Sequence, residues 1–141
     1  DTPVSRPPSV AAENHLFLGF NDISTPMEGM TLPGADHMDA YLAFLNRWDR
    51  RQPLVVHCWA GVSRSTAGAF TALCLLRPDL PETEIAARLR GRSPEATPNA
   101  RLVALADARL KRNGRMIAAV QAIGRGANAF EGSVFSMAID E

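Results

Sequence analysis

The sequence predicts an α/β domain built on a central, mostly parallel sheet flanked by helices. Three observations predict it. Residues 16–20 and 53–57 are β-type runs, five segments carry apolar residues at helical spacing, and the pattern switches abruptly from strand to helix around residues 58–64.

Residues 1–13 hold three prolines and no periodic apolar pattern, so they are expected to run extended and exposed. Leu16, Phe17, Leu18, Gly19 and Phe20 form a short apolar run closed by Asn21 and Asp22, which reads as a buried strand delivering a polar loop. Pro26, Gly29, Pro33 and Gly34 make residues 25–34 a loop. Asp36 stands where it can cap a helix reaching about residue 50, whose Met38, Tyr41, Leu42, Leu45 and Trp48 recur at three- and four-residue steps. Residues 53–57 are the second strand, β-branched and begun by a proline that would not fit deep inside a central strand. Arg64 to Leu76 is almost wholly apolar, the pattern of a helix buried on most sides, and Pro78 with Asp79 ends it. Residues 81–90 suit a short helix with proline in its first turn. Thr97 and Pro98 open another, with Thr97 as cap and Leu102, Leu105 and Leu110 as its buried stripe. A last helix over residues 115–123 ends at Gly124 and Gly126, which release a tail. Two strands cannot make an independently stable parallel sheet. The chain is therefore read as a single domain over residues 1–141 that lacks an N-terminal strand segment, with a further strand expected from other sequence or another chain.

Composition narrows the function. The 141 residues are 46% hydrophobic and 21% charged, ordinary for one globular domain. Fifteen basic and fifteen acidic residues cancel, so no bulk positive charge draws the chain to nucleic acid, and any anion site must be local. The longest strongly apolar stretch, residues 67–76, is about half the length needed to span a bilayer. Two cysteines, Cys58 and Cys74, make a poor disulfide framework, and no secretion signal is visible, so a cytoplasmic location with reduced thiols is expected. His15 and His37 lack a second ligand at metal spacing, and neither metal nor other cofactor is expected.

The decisive segment is His57-Cys58-Trp59-Ala60-Gly61-Val62-Ser63-Arg64-Ser65, placed where a strand gives way to a helix. At this composition, a chance match to the pattern His-Cys-x2-Gly-x2-Arg-Ser/Thr has odds on the order of 10⁻⁵ over the chain. A five-residue loop between a thiol and an arginine, opening a helix, lets the backbone N–H groups of residues 59–64 turn inward around a tetrahedral dianion. Trp59, Ala60, Gly61, Val62, Ser63 and Arg64 are thus the candidate phosphate-binding residues, Gly61 easing the turn. The same donors, the helix N-terminus and Arg64 should depress the pKa of Cys58 and keep it as a nucleophilic thiolate. Arg64 offers a planar fork for two phosphoryl oxygens, which a lysine cannot imitate. Ser65 is close enough in sequence to donate to the Cys58 sulfur and make it a better leaving group, and His57 is expected to orient the loop through backbone contacts. Cys74, ten residues along the helix from Arg64, reads as a core residue.

The loop resembles the signature of the cysteine-based protein-tyrosine and dual-specificity phosphatases. The chain is also similar to compact bacterial tyrosine phosphatase-like proteins in the order of its Asn21-Asp22-Ile23, Trp48-Asp49-Arg50, His57-Cys58 and Pro98-Asn99-Ala100-Arg101-Leu102 segments. The resemblance implies a phosphatase-type sheet with a strand, phosphate loop and helix at its active site, and hydrolysis of a phosphate monoester through a phosphocysteine. It implies a phosphorylated protein, peptide or small phosphomonoester as substrate, and an aspartate on an upstream loop as general acid. Asp22 fits that role; Asp36 and Asp39 fall at a helix start, where a carboxylate caps or is solvated. Where related enzymes often position the hydrolytic water with a glutamine, this sequence has Leu105 and Ala106, leaving water activation to Asp22 alone.

Three other readings are carried. A phosphoinositide or inositol phosphate phosphatase would be expected to add lysines to the loop, and Trp59, Ala60, Val62 and Ser63 supply none. A phosphate-binding pseudophosphatase with little turnover accords with the missing glutamine. Sulfur transfer of the rhodanese kind would not require Arg64 followed by Ser65. Arg88, Arg90, Arg92 and Arg101 are read as a solvated face that also raises the local anion concentration.

Overall fold

A computed structural model describes residues 4–140. A short 3-10 turn (Ala12–Asn14) precedes five helices: α1 (Ala35–Arg47), α2 (Arg64–Leu76), α3 (Glu82–Arg92), α4 (Ala100–Leu110) and α5 (Arg115–Ile123). The predicted α/β architecture is overturned, because the described residues contain helices and irregular segments and no strand. Residues 16–20 and 53–57 do alternate inward and outward, with Leu16, Leu18, Phe20, Leu54 and Val56 turned toward the protein and Val55 79% exposed. No backbone hydrogen bond joins the two segments. Their inner faces bury against helices, so the alternation that signals a strand is satisfied without a ladder.

Helix α2 is central, as its apolar sequence requires. Ala67, Phe70, Ala72, Leu73 and Cys74 are buried in the core, and α1, α3 and α4 pack around it. Tyr41 of α1 crosses to α2 and donates from its hydroxyl to the Gly68 carbonyl at 2.6 Å. A β-carbon at Gly68 would stand 3.0 Å from Val56 Cγ1 and 3.3 Å from that hydroxyl, so glycine lets residues 53–57 lie against α2.

The helix ends show which local signals the chain uses. Gly34, not Asp36, is the N-cap of α1; its N–H donates to His37 Nδ1 at 3.0 Å, and Asp36 stands exposed in the first turn. Asn99, not Thr97, caps α4, its Oδ1 accepting the Leu102 N–H at 3.0 Å. The start of α5 is fixed from a distance: the buried Asp107 carboxylate accepts the N–H groups of Gly114 and Met116, both at 2.8 Å.

The tail beyond α5 is not released. Phe135, Met137 and Ile139 return to pack against the core. The predicted arginine face is largely spent on structure. Arg90 donates to the carbonyls of Ser93, Pro94 and Gly124, Arg101 to that of Pro33, and Arg88 pairs with Glu84. No helix of the described residues is long and apolar enough to cross a membrane.

Candidate active site

The loop from Cys58 to Ser63 feeds directly into the N-terminus of α2, with Ser63 as its N-cap. Gly61 has φ +74°, the left-handed turn that a glycine adopts without strain. The outer carbonyls of the loop are held by other segments. Ala60 O accepts from Gly132 N at 2.7 Å, Val62 O from Thr97 N at 2.9 Å, and Ser63 O from Asn99 N at 3.1 Å. Thr66 Oγ1 adds bonds to Val62 O at 2.6 Å and Ser63 O at 3.1 Å. In a trans peptide the N–H points opposite to the carbonyl before it, so each carbonyl fixed outward turns the next amide inward. Gly61 N accordingly reaches the Cys58 sulfur at 3.3 Å. Among the described residues, the amides of Trp59, Ala60, Val62, Ser63 and Arg64 donate to no acceptor.

Cys58 is half-buried, with Sγ 3.3 Å from Ser65 Oγ. Burial pushes its thiol up, but hydrogen bonds from the Ser65 side chain and from the Ser65 and Gly61 backbones, together with the Arg64 charge, outweigh this and bring it below its ordinary value. Cys74 is the opposite case: fully buried, it is pushed up to about 12 by desolvation, against the partly opposing charge of Arg112. Arg64 starts α2 and spends Nη1 on the Phe20 carbonyl at 2.9 Å, which ties residues 16–20 to the loop and leaves its other donors without partners among the described residues.

Asp22 arrives from the turn after Phe20. Its Oδ1 accepts from Ser63 Oγ at 2.7 Å and from Asn99 Nδ2 at 2.8 Å, while Oδ2 has no partner among the described residues. Asp22, Val62 and Ser63 are among the residues that line an open cleft of about 740 Å³, together with Thr97, Pro98 and Phe130. Neither alternative acid reaches the loop through any hydrogen bond, and Asp39 is paired with Arg109 at 2.8 Å.

The structure therefore brings Cys58, Gly61, Arg64 and Ser65 together and links Asp22 to them through Ser63. It does not bring in the His57 ring, which is exposed, with Nδ1 only 3.4 Å from the neighbouring Cys58 carbonyl. The Trp59 side chain is 91% exposed on the rim, so its contribution to a cradle is its amide. Sequence reasoning missed Asn99, which caps α4 and holds both Asp22 and the Ile23 carbonyl. It also missed Thr66, whose hydroxyl bonds back to carbonyls three and four residues earlier, and Gly132, whose bond to the loop is visible only once a distant segment is brought in. Ala106, at the position compared with the missing glutamine, is fully buried.

Compared with models of known protein families, with curated proteins and with solved structures, the chain gives no match.

Proposed function

We propose that the chain hydrolyses a phosphate monoester, with a phosphorylated tyrosine in a protein or peptide as the favoured substrate. The observation that carries this reading is a loop whose amides are left without acceptors among the described residues, next to a thiol whose ionised form is favoured and a guanidinium with donors to spare. The Cys58 thiolate attacks phosphorus, the bond to the leaving oxygen breaks, and a protonated Asp22 gives that oxygen its proton. Water then attacks the thiophosphate, Asp22 takes the proton back, and the phosphorus–sulfur bond breaks to release phosphate and restore the thiolate. Ser65 Oγ, 3.3 Å from the sulfur, stabilises the departing thiolate.

The test is turnover of a chromogenic aryl phosphate and of phosphotyrosine peptide, alongside Cys58→Ser. The wild type should hydrolyse both and be alkylated by iodoacetate at Cys58 with protection by phosphate, whereas Cys58→Ser should bind phosphate without turnover. Substantial activity in that variant would refute the mechanism.

A phosphate-binding module with little turnover is the second reading. It is favoured by one observation: both bonds to Asp22 fall on the same oxygen and make it a strut between Ser63 and Asn99. Phosphate protection of Cys58 without hydrolysis of either substrate would select it.

A further inference from the structure

The C-terminal segment runs along the outer side of the phosphate loop and is fastened on the way. Arg90 Nη2 grips the Gly124 carbonyl at 2.7 Å, Gly126 N donates to Thr97 Oγ1 at 3.0 Å, and Ala127 N to Pro94 O at 2.9 Å. Gly132 N then donates to Ala60 O at 2.7 Å, before Phe135, Met137 and Ile139 settle on the core. Contact at Gly132 is close: a β-carbon there would stand 2.6 Å from the Gly61 carbonyl oxygen. Its φ lies outside the left-handed range, so glycine is required by the approach and not by the backbone conformation.

We infer that Gly132 is a positioning residue for the phosphate loop, an inference that rests on the phosphatase reading for its consequence in turnover. The chain of contacts is continuous. Gly132 N–H holds the Ala60 carbonyl outward, the same peptide plane turns Gly61 N–H inward, and that amide meets the Cys58 sulfur at 3.3 Å. No residue of the loop itself makes this outward bond to Ala60 O; it comes from a segment more than seventy residues away in sequence. Losing it frees the plane to rotate, which removes a donor from the thiolate and loosens one amide of the cradle.

The experiment compares wild type, Gly132→Ala and Gly91→Ala. The last makes the same chemical change in α3, where a β-carbon meets nothing within 4 Å. The readouts are the pH midpoint of Cys58 alkylation by iodoacetamide and the concentration of inorganic phosphate that protects it. Gly132→Ala should move the midpoint to higher pH and raise the protecting concentration roughly three- to tenfold, the ratio expected from one positioning hydrogen bond; Gly91→Ala should change neither. In the unmutated protein the Gly132 amide should exchange slowly with solvent and more slowly with phosphate bound, a measurement that decides the matter if Gly132→Ala does not fold. Unchanged midpoint and protection in a folded Gly132→Ala, or fast exchange at Gly132 that ignores phosphate, overturns the positioning role. A wild type whose Cys58 is not protected by phosphate overturns the cradle reading instead, so the two failures are distinguishable.

Discussion

Asp22→Asn separates the two roles that the geometry offers this residue. The carboxylate accepts Ser63 and Asn99 on Oδ1 alone, at 2.7 and 2.8 Å, and Oδ2 is unpartnered among the described residues. An asparagine can keep its amide oxygen on that side and both bonds with it, placing Nδ2 where Oδ2 was. The strut survives while the transferable proton is lost. If Asp22 is the general acid, kcat on phosphotyrosine should fall by roughly 10²–10⁴, the usual worth of a positioned acid. On an aryl phosphate whose phenol is already acidic the loss should be far smaller, because that oxygen departs without help. Steady-state kinetics on the two substrates, with phosphate protection of Cys58 as a control for the cradle, measures both. Asp22→Ala, which removes strut and acid together, should weaken phosphate protection as well. Equal activity of Asp22→Asn and wild type on phosphotyrosine would refute the acid assignment and leave Asp22 as a strut.

Ser65→Ala removes the strongest hydrogen bond favouring the Cys58 thiolate. Because the folded thiol lies below its ordinary value, losing a donor favours the neutral form; the alkylation midpoint should rise by roughly one to two pH units, the equivalent of one hydrogen bond to a charged group. Asn99→Ala should lower stability by about 1 kcal/mol through the lost cap of α4, read by urea unfolding, and should also weaken turnover through Asp22. Asn99→Asp should keep the cap, and so most of the stability, yet impair activity by setting a second carboxylate against Asp22. Thr71, fully buried in α2, has a hydroxyl without a hydrogen-bond partner among the described residues; Thr71→Val should stabilise the fold by about 1 kcal/mol and raise Tm by about 3 °C.

What the sequence could reveal depended on whether the signal was local. Helices α2 and α5 follow directly from runs of apolar residues with clear stops, and their bounds match the pattern. Helix α1 ends at Arg47 and not near residue 50, because Trp48 leaves the helix, its indole N–H donating to Gln52 O at 3.0 Å, and Arg50 takes φ 64°. The sheet was misjudged because alternation at residues 16–20 and 53–57 reports which side chains are buried and says nothing about where the backbone donors go. The same alternation at Phe135, Met137 and Ile139 marked a returning tail, and went unread behind Gly124 and Gly126. Cys58, Gly61, Arg64 and Ser65 were legible because the loop that unites them is contiguous. Asn99 and Gly132 act on it from separate segments, and only the fold brings them there.

The absence of a ladder changes how the loop must be held. Were residues 53–57 paired on both sides, ladder hydrogen bonds would fix the chain up to His57, and the loop would need anchoring only at α2. Here Val55 stands 79% exposed, and among the described residues no backbone bond to another segment restrains this stretch. Rigidity has to come from the far side of the loop. Gly132 on Ala60, Thr97 on Val62 and Asn99 on Ser63 supply it, with Thr66 Oγ1 bridging the last two carbonyls. Arg64 works in the reverse direction, holding Phe20 and with it the turn that carries Asp22. Apart from the local bonds of Thr66, these contacts tie the loop to three distant segments, around residues 20, 97–99 and 132, so tertiary packing, more than local secondary structure, decides whether the amides face a common centre. Changes at Thr66, Asn99 or Gly132 should accordingly impair anion binding at least as much as they impair stability, whereas a truncation confined to the core, such as Phe70→Ala, should cost about 3–5 kcal/mol without a matching loss of phosphate affinity in the molecules that remain folded.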